Sequence, residues 1–210
     1  MNSHLKRFHI SNNTLEVGID ESGAGPLFGR VYASCVILNP DIELHPYLND
    51  SKKVSGKRRK IVRDWIEENA LDFNVAWCDE KRVDEINILN ARIESMHKSL
   101  NGLNIEPEHL LVDGNSFKPY LYDMEYFIPH TLIVNGDGLY ASIAAASILA
   151  KEYHDDYIID MCAKYPELDT KYHLLSNKGY GTPYHKWAVC EYGPSNFHRL
   201  SFLKFNKNKI

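Results

Sequence analysis

Apolar positions recur with two spacings along this chain. Residues 15–21 alternate apolar with other side chains and stop at Gly23, and residues 31–38 form a second β-rich run, so the pair predicts a hairpin. From Ser55, a residue suited to an N-cap, the spacing becomes helical, with Ile61, Val62, Trp65 and Ile66 recurring on one face. Residues 73–78 predict a third strand, and residues 87–100 a helix aligning Leu89, Ile93, Met96 and Leu100. Residues 110–112 and 131–134 form two more short strands. A further helix carries Leu139, Ile143, Ala146, Ala150 and Tyr157 on one stripe, with small residues where it can lie close against a sheet. The order is therefore ββαβαβα with later elements, an α/β pattern. Beyond Tyr165 the chain is punctuated by glycine and proline (Lys178-Gly-Tyr-Gly-Thr-Pro183). It then turns helical before a basic tail with Arg199, Lys204, Lys207 and Lys209, and we expect an accessory lobe here.

A chain of 210 residues supports one substantial core, or a core with a small appendage. Its longest small-and-apolar stretch, residues 142–150, falls far short of the ~20 residues that cross a bilayer. The N-terminus shows no apolar signal-peptide core, so a cytoplasmic location is expected. Four cysteines without a CxxC pair argue against a zinc ribbon or a disulfide framework, and ten histidines show no HExxH spacing. Any metal should therefore be held by oxygen.

The formal charge of −4 argues at first against a polyanionic partner, but its distribution does not. Seven bases and no acid lie between Lys52 and Arg63 (Lys52, Lys53, Lys57, Arg58, Arg59, Lys60, Arg63), while 28 acids face 17 bases elsewhere. The cations crowd the first turn of the predicted helix against its dipole, at a cost of about 0.3–1 kcal/mol each. An anionic partner or a solvated charged face both explain that run.

Candidate chemistry lies where apolar segments end. Asp20 and Glu21 close the first strand, Asp113 closes Leu-Leu-Val-Asp-Gly, and Asp137 stands between two glycines just ahead of the alanine-rich helix. Carboxyl ends of strands are where α/β sheets place ligand sites, although Asp and Gly are also ordinary turn residues. Adjacent residues on a regular strand point to opposite faces, so Asp20 and Glu21 converge only if the strand twists or breaks there; Gly23 and Gly25 allow it. Four converging carboxylates repel one another unless cations neutralise them, and hard oxygen ligands select magnesium or manganese. Two such ions about 3.5–4 Å apart suit in-line displacement at phosphorus, without a protein nucleophile. Gly23-Ala24-Gly25 with Gly29 fits neither a dinucleotide fingerprint nor a P-loop. It is read as backbone exposed to a sugar or phosphate, or as a plain hairpin turn.

With these residues in view, the chain resembles the type 2 ribonucleases H (ribonuclease HII). Gly18-Ile-Asp-Glu-Ser-Gly-Ala-Gly-Pro-Leu-Phe-Gly29, Leu48-Asn-Asp-Ser-Lys-Lys53 and Leu111-Val-Asp-Gly-Asn115 look like that family's first blocks. Gly136-Asp137, Ser142-Ile-Ala-Ala-Ala-Ser-Ile-Leu-Ala-Lys151, Lys178-Gly-Tyr-Gly-Thr182 and His198-Arg-Leu-Ser-Phe202 continue in family order, so that the match runs from about Val17 to Phe202. The resemblance implies a ribonuclease H-like mixed β-sheet flanked by helices over residues 1–164, and a C-terminal helical lobe, 165–210, that closes over substrate. It implies endonucleolytic cutting of the RNA strand of RNA/DNA hybrids and incision at single ribonucleotides embedded in duplex DNA, serving ribonucleotide removal and primer removal. A cytoplasmic monomer is expected, and any replication-clamp partner stays unspecified.

By the same resemblance, Asp20, Glu21, Asp113 and Asp137 hold two magnesium or manganese ions. The loop Gly23, Ala24 and Gly25 reads the ribose 2′-hydroxyl through its backbone, and Tyr180 packs on the sugar. Lys52, Lys53, Ser147, Lys151 and, more weakly, Arg199 are candidate backbone contacts; each is equally placed to be a structural hydrogen-bond or ion-pair residue. This chain departs from the family at four places. Ala24 replaces the usual Arg, Asn177 the usual His, His154 the usual Arg, and Leu200 a second Arg. These departures imply weaker backbone binding or a shifted substrate preference. The alternatives are a catalytically silent hybrid-binding protein and a related metal nuclease with another preference.

Overall fold

The computed structural model describes residues 4–11, 13–123 and 125–204. Lys207 and Lys209 of the basic tail lie outside the described residues.

The predicted hairpin forms from β1 (Glu16–Ser22) and β2 (Val31–Leu38), antiparallel with Ile19 opposite Cys35 and Asp20 opposite Ser34. After α1 (Gly56–Asn69), β3 (Ala70–Cys78) adds to the free edge of β2. On the other side of β1, β4 (His109–Asp113) and then β7 (His130–Ile133) pair in parallel, so the sheet order is β3-β2-β1-β4-β7. The fold is thus the expected mixed sheet flanked by helices. A small hairpin of β5 (Tyr120–Tyr122) and β6 (Tyr126–Ile128) was not anticipated, because each strand is only three residues long.

Strand alternation sorts the side chains into two cores. Val17, Ile19, Ala33, Cys35, Leu110 and Val112 meet Met96 and Leu100 of α2 (Glu80–Leu100), with Tyr120 and Ile128 of the small hairpin beside them. On the other face Val36 meets Val62 and Ile66 of α1 and the alanines of α3 (Ala141–Lys164). Ile61 and Leu89, placed by periodicity on the buried faces of their helices, are exposed. The predicted start of the second helix at Asn87 marks a break inside α2. Asn87 sits at φ 65°, ψ 164°, and its Oδ1 accepts from Asn90 N–H, capping the second half, while Asp79 caps the first by accepting from Arg82 N–H.

The single stripe expected on α3 is not what forms. All ten residues from Ala141 to Ala150 are buried, and Leu139 precedes the helix and is exposed. Small side chains let α3 lie almost directly on β1. A Cβ on Gly18 would overlap the backbone of Ser142 and Ile143. The short helices α4 (Glu167–Tyr172), α5 (Leu174–Asn177) and α6 (Pro183–Tyr192) gather at the far end of α3, around Ile158, Cys162, Leu168, Tyr172, Leu174 and Phe28. Among the described residues, no helix is long and apolar enough to cross a membrane.

Candidate active site

Parallel pairing sets Ile19 beside Val112, so the next residues, Asp20 and Asp113, stand together where β1 and β4 end. The chain after β7 turns through a 3-10 segment, Gly136–Gly138, which carries Asp137 to the same place; Asp113 Oδ1 accepts from Gly136 N–H at 2.6 Å. Asp20 and Glu21 do point to opposite faces. Asp20 is 5% exposed and bonds Ser147 of α3, whereas Glu21 pairs with Arg92 of α2 at 2.6 Å. No break in β1 is needed, because both reach the sheet's end and both sense Asp113.

The electrostatics show convergence. Burial, then Glu21 and Asp113, push the Asp20 carboxyl well above its ordinary range. Burial also raises Glu21 against the pull of Arg92, and burial with Asp50 and Asp113 raises Asp137 against the pull of Lys52. The Lys52 ammonium lies 3.6 Å from Asp137. Partial burial would lower its pKa, but attraction to Asp137, Asp20, Asp50 and Asp113 outweighs that and raises it. One cation is thus shared among acids from four segments.

These acids do not form a finished cage. Among the described residues, no three Asp, Glu, His or Cys side chains are grouped tightly enough to hold an ion. Each acid has one oxygen engaged within the protein: Arg92 takes one of Glu21, Gly136 N–H one of Asp113, Glu21 N–H one of Asp20 (2.7 Å), and Lys52 one of Asp137. The chemistry of the set nevertheless fits a hard divalent cation. All donors are oxygen, three of the four carboxyls have raised pKa values, and Glu21 Oε2 is buried with no partner.

The glycine loop adjoins this cluster. Gly23 sits at φ +83° over buried His154, whose Cδ2 would be 2.5 Å from a Cβ there. The ring of Tyr180 lies against Gly25, 3.3 Å from where its Cβ would be, and the tyrosine's ionisation senses both Asp155 and Lys52. Lys52 links the two groups, since its charge reaches Tyr180 as well as Asp20, Asp113 and Asp137.

The remaining candidates divide. Lys52 and Lys53 are exposed at the rim, with Lys53 3.5 Å from Asp50. Ser147 is buried, bonding Asp20 and Ser51 Oγ (2.9 Å), and Lys151 pairs with Asp155 at 2.7 Å. Arg199, a candidate phosphate contact, is corrected: it is fully buried, and its guanidinium donates to four backbone carbonyls. Two departures also act inside the protein. Asn177 bonds Tyr172 O and Gly179 N–H, and His154 supports Gly23; Leu200 is exposed and Ala24 half-buried.

Sequence reasoning missed Arg92, since a base on a helix carries no distinguishing spacing, and it gave no role to Asp50 and Ser51, although both stand in the Leu48–Lys53 motif. It also misjudged the basic run. Arg59 pairs with Glu152 (2.6 Å) and Asp155, and Arg63 with Glu67 and Asp156, so half-buried arginines of α1 fasten it to α3.

A model of the family described as ribonuclease HII matches residues 17–205. The ribonuclease HII of Phocaeicola vulgatus is 44% identical over 194 residues, 92% of each chain, and that of Christiangramia forsetii 45% identical over 185 residues, 88% of each. Among solved structures, ribonuclease H2 from Pyrococcus horikoshii superposes with a TM-score of 0.70 at 24% identity, covering 89% of this chain and 93% of that one. RNase HII in its PCNA complex from Archaeoglobus fulgidus gives 0.70 at 21%, covering 92% and 97%. A Bst-RNase HIII structure in complex with Mn2+ gives 0.61 at 19%, covering 92% and 70%. A match across nearly the whole chain, on a shared fold, places the chain in the ribonuclease HII family of hydrolytic ribonucleases.

Proposed function

We propose that this protein is an endonuclease that cuts the RNA strand of RNA/DNA hybrids and incises beside single ribonucleotides embedded in duplex DNA. The observation that carries this reading is that the Tyr180 ring lies against Gly25 of the loop that follows β1, with Lys52 in electrostatic reach of both Tyr180 and the carboxylates at the ends of β1 and β4. A backbone amide beside an aromatic face suits a ribose, because it senses the 2′-hydroxyl without reading a base.

Asp20, Glu21, Asp113 and Asp137 would hold two magnesium or manganese ions, each through an oxygen that its present partner leaves available, as Glu21 Oε2 is. When bound, the ions supply charge neutralisation at phosphorus and a lowered pKa for an attacking water. The chain's own contribution is placement. Ser147 orients Asp20, Arg92 orients Glu21, and Gly136 N–H orients Asp113. Lys52 and Lys53 at the rim attract the phosphate backbone, and the strand cut leaves 5′-phosphate and 3′-hydroxyl ends. Residues 165–210 would close over the duplex, carrying Tyr180 with them. Such an enzyme serves ribonucleotide removal from DNA and primer removal, as a cytoplasmic monomer.

The test is a panel of duplexes containing no, one or several ribonucleotides, with magnesium, manganese or EDTA. Metal-dependent incision at the single ribonucleotide supports the proposal. Cleavage confined to long hybrids or plain DNA assigns another substrate, and binding without products makes the protein a silent binder.

A further inference from the structure

Residues 197–199 run antiparallel to residues 27–29. Phe28 bridges His198, Gly29 N–H donates to Phe197 O at 2.8 Å, and Arg199 N–H donates to Leu27 O at 2.8 Å. From this register the Arg199 side chain enters the glycine loop from beneath. Its Nε donates to Gly29 O (2.8 Å), Nη1 to Pro26 O (2.9 Å) and Ala24 O (3.1 Å), and Nη2 to Gly23 O (2.7 Å). Burial draws its pKa down only to about 10, so the guanidinium stays charged at neutral pH.

The residue before it secures Tyr180, whose ring lies against Gly25. Ser195 N–H donates to His198 Nδ1 (3.0 Å), which leaves the His198 proton on Nε2, pointing at His185 Nε2 (3.0 Å). His185 Nδ1–H then donates to the Tyr180 carbonyl (2.9 Å). Two consecutive residues thus hold the glycine loop and the tyrosine that faces it.

A loop whose carbonyls converge on one cation must turn its amides the other way. The Ala24 and Gly25 amides have no acceptor among the described residues. An apolar side chain in its place would leave these four carbonyls without their donor, so the loop's shape depends on the guanidinium. Its planar fork is suited to setting several carbonyls at once, which a lysine cannot do.

We propose that Arg199 is a positioning and specificity-determining residue: by gathering the carbonyls of Gly23, Ala24, Pro26 and Gly29 it aims the Ala24 and Gly25 amides into the cleft and so sets the preference for ribose over deoxyribose. This rests on the proposed reading of the loop as the 2′-hydroxyl sensor.

The experiment measures dissociation constants, in EDTA, for a DNA duplex with one ribonucleotide and for the all-deoxy duplex. Wild type, R199K and R199Q are compared, each checked for folding by circular dichroism. Expected is a loss of about tenfold in the ribo/deoxy preference in both variants, with all-deoxy affinity within about twofold of wild type. Guanidinium at millimolar concentration should restore the preference to R199A, which covers the case in which the larger side chains disturb folding. Equal weakening on both duplexes with a shallower salt dependence would make Arg199 a phosphate contact, and a lowered melting temperature with an unchanged preference would make it merely structural; either overturns the proposal. Failure of the sensor reading is separable. A Gly25→Val control, whose branched side chain meets Tyr180, should abolish the preference. If it does so while R199K and R199Q keep it, Arg199 has no such role and the sensor stands. If wild type shows no preference, both ideas fall.

Discussion

Asp113 accepts from Gly136 N–H with one oxygen, and on the proposed function the other would face a cation, so its substitution separates folding from chemistry. Asn keeps an acceptor for Gly136 but removes the charge. Asp113→Asn should therefore retain the wild-type far-UV spectrum and melting temperature while losing on the order of 10²-fold or more in kcat, about 2.7 kcal/mol of transition-state stabilisation. Near-normal turnover would remove Asp113 from the catalytic set. At Ala24 the side chain is half-buried, and the backbone carbonyl is already held by Arg199. Ala24→Arg should thus add a cation without disturbing the loop, tightening substrate binding and steepening the salt dependence by roughly one further released counterion. Equal dissociation constants across a salt series would count against it. The acids were legible as single residues because each closes an apolar run beside glycine. Arg92 was not, since only its neighbours in space mark it; Asp50 and Ser51 stood in a motif, but their meeting with Asp137 and Ser147 shows only in space.

At the scale of elements, the approach of α3 to β1 decides whether Asp20 meets Ser147. Gly18 lies on the same face of β1 as Asp20, two residues away, where a Cβ would overlap the α3 backbone. Gly18→Ala should push the helix outward and destabilise by about 1–3 kcal/mol, read as a lower urea midpoint, with a fall in kcat beyond that of a surface control. An unchanged midpoint would show that the contact yields cheaply. Helices and longer strands were legible from periodicity alone. The small hairpin is too short to carry a pattern, and α3 misled because a helix buried on all sides over Ala141–Ala150 has no stripe to reveal. The basic segment of α1 misled for another reason. Charge in sequence does not say whether the partner is outside or within, and Glu152 and Asp155 lie more than ninety residues further on.

For the whole molecule, stability and pH are linked through buried histidines. His154, His185 and His198 are almost fully buried, and burial lowers all three, His198 to about 3 with help from His185. The unfolded chain takes up protons below about 6.5 that the folded protein refuses, so their contribution is intact above 6.5 and is lost as pH falls from there toward 3. Asp20, Glu21 and Asp137 act oppositely, because their raised values make the folded state the better proton acceptor. The histidine contribution is isolated by difference. Between about pH 7 and pH 5 the urea midpoint of His198→Asn should fall less than that of wild type, and parallel falls would refute the linkage.

What the sequence by itself determined is whatever depends on neighbours along the chain: the strand and helix periods, the turns at glycine, the acids that close apolar runs, and the ordered motifs that mark the ribonuclease HII family. Only the tertiary structure decided which groups meet. It brought Asp20 and Glu21, on opposite faces of β1, both within reach of Asp113, spent Arg59 and Arg63 on α3, and sent Arg199 inward beneath the glycine loop. The physical reason is that a charge's role is set by burial and by partners a few ångströms away, and the residues supplying both lie as much as 176 positions apart.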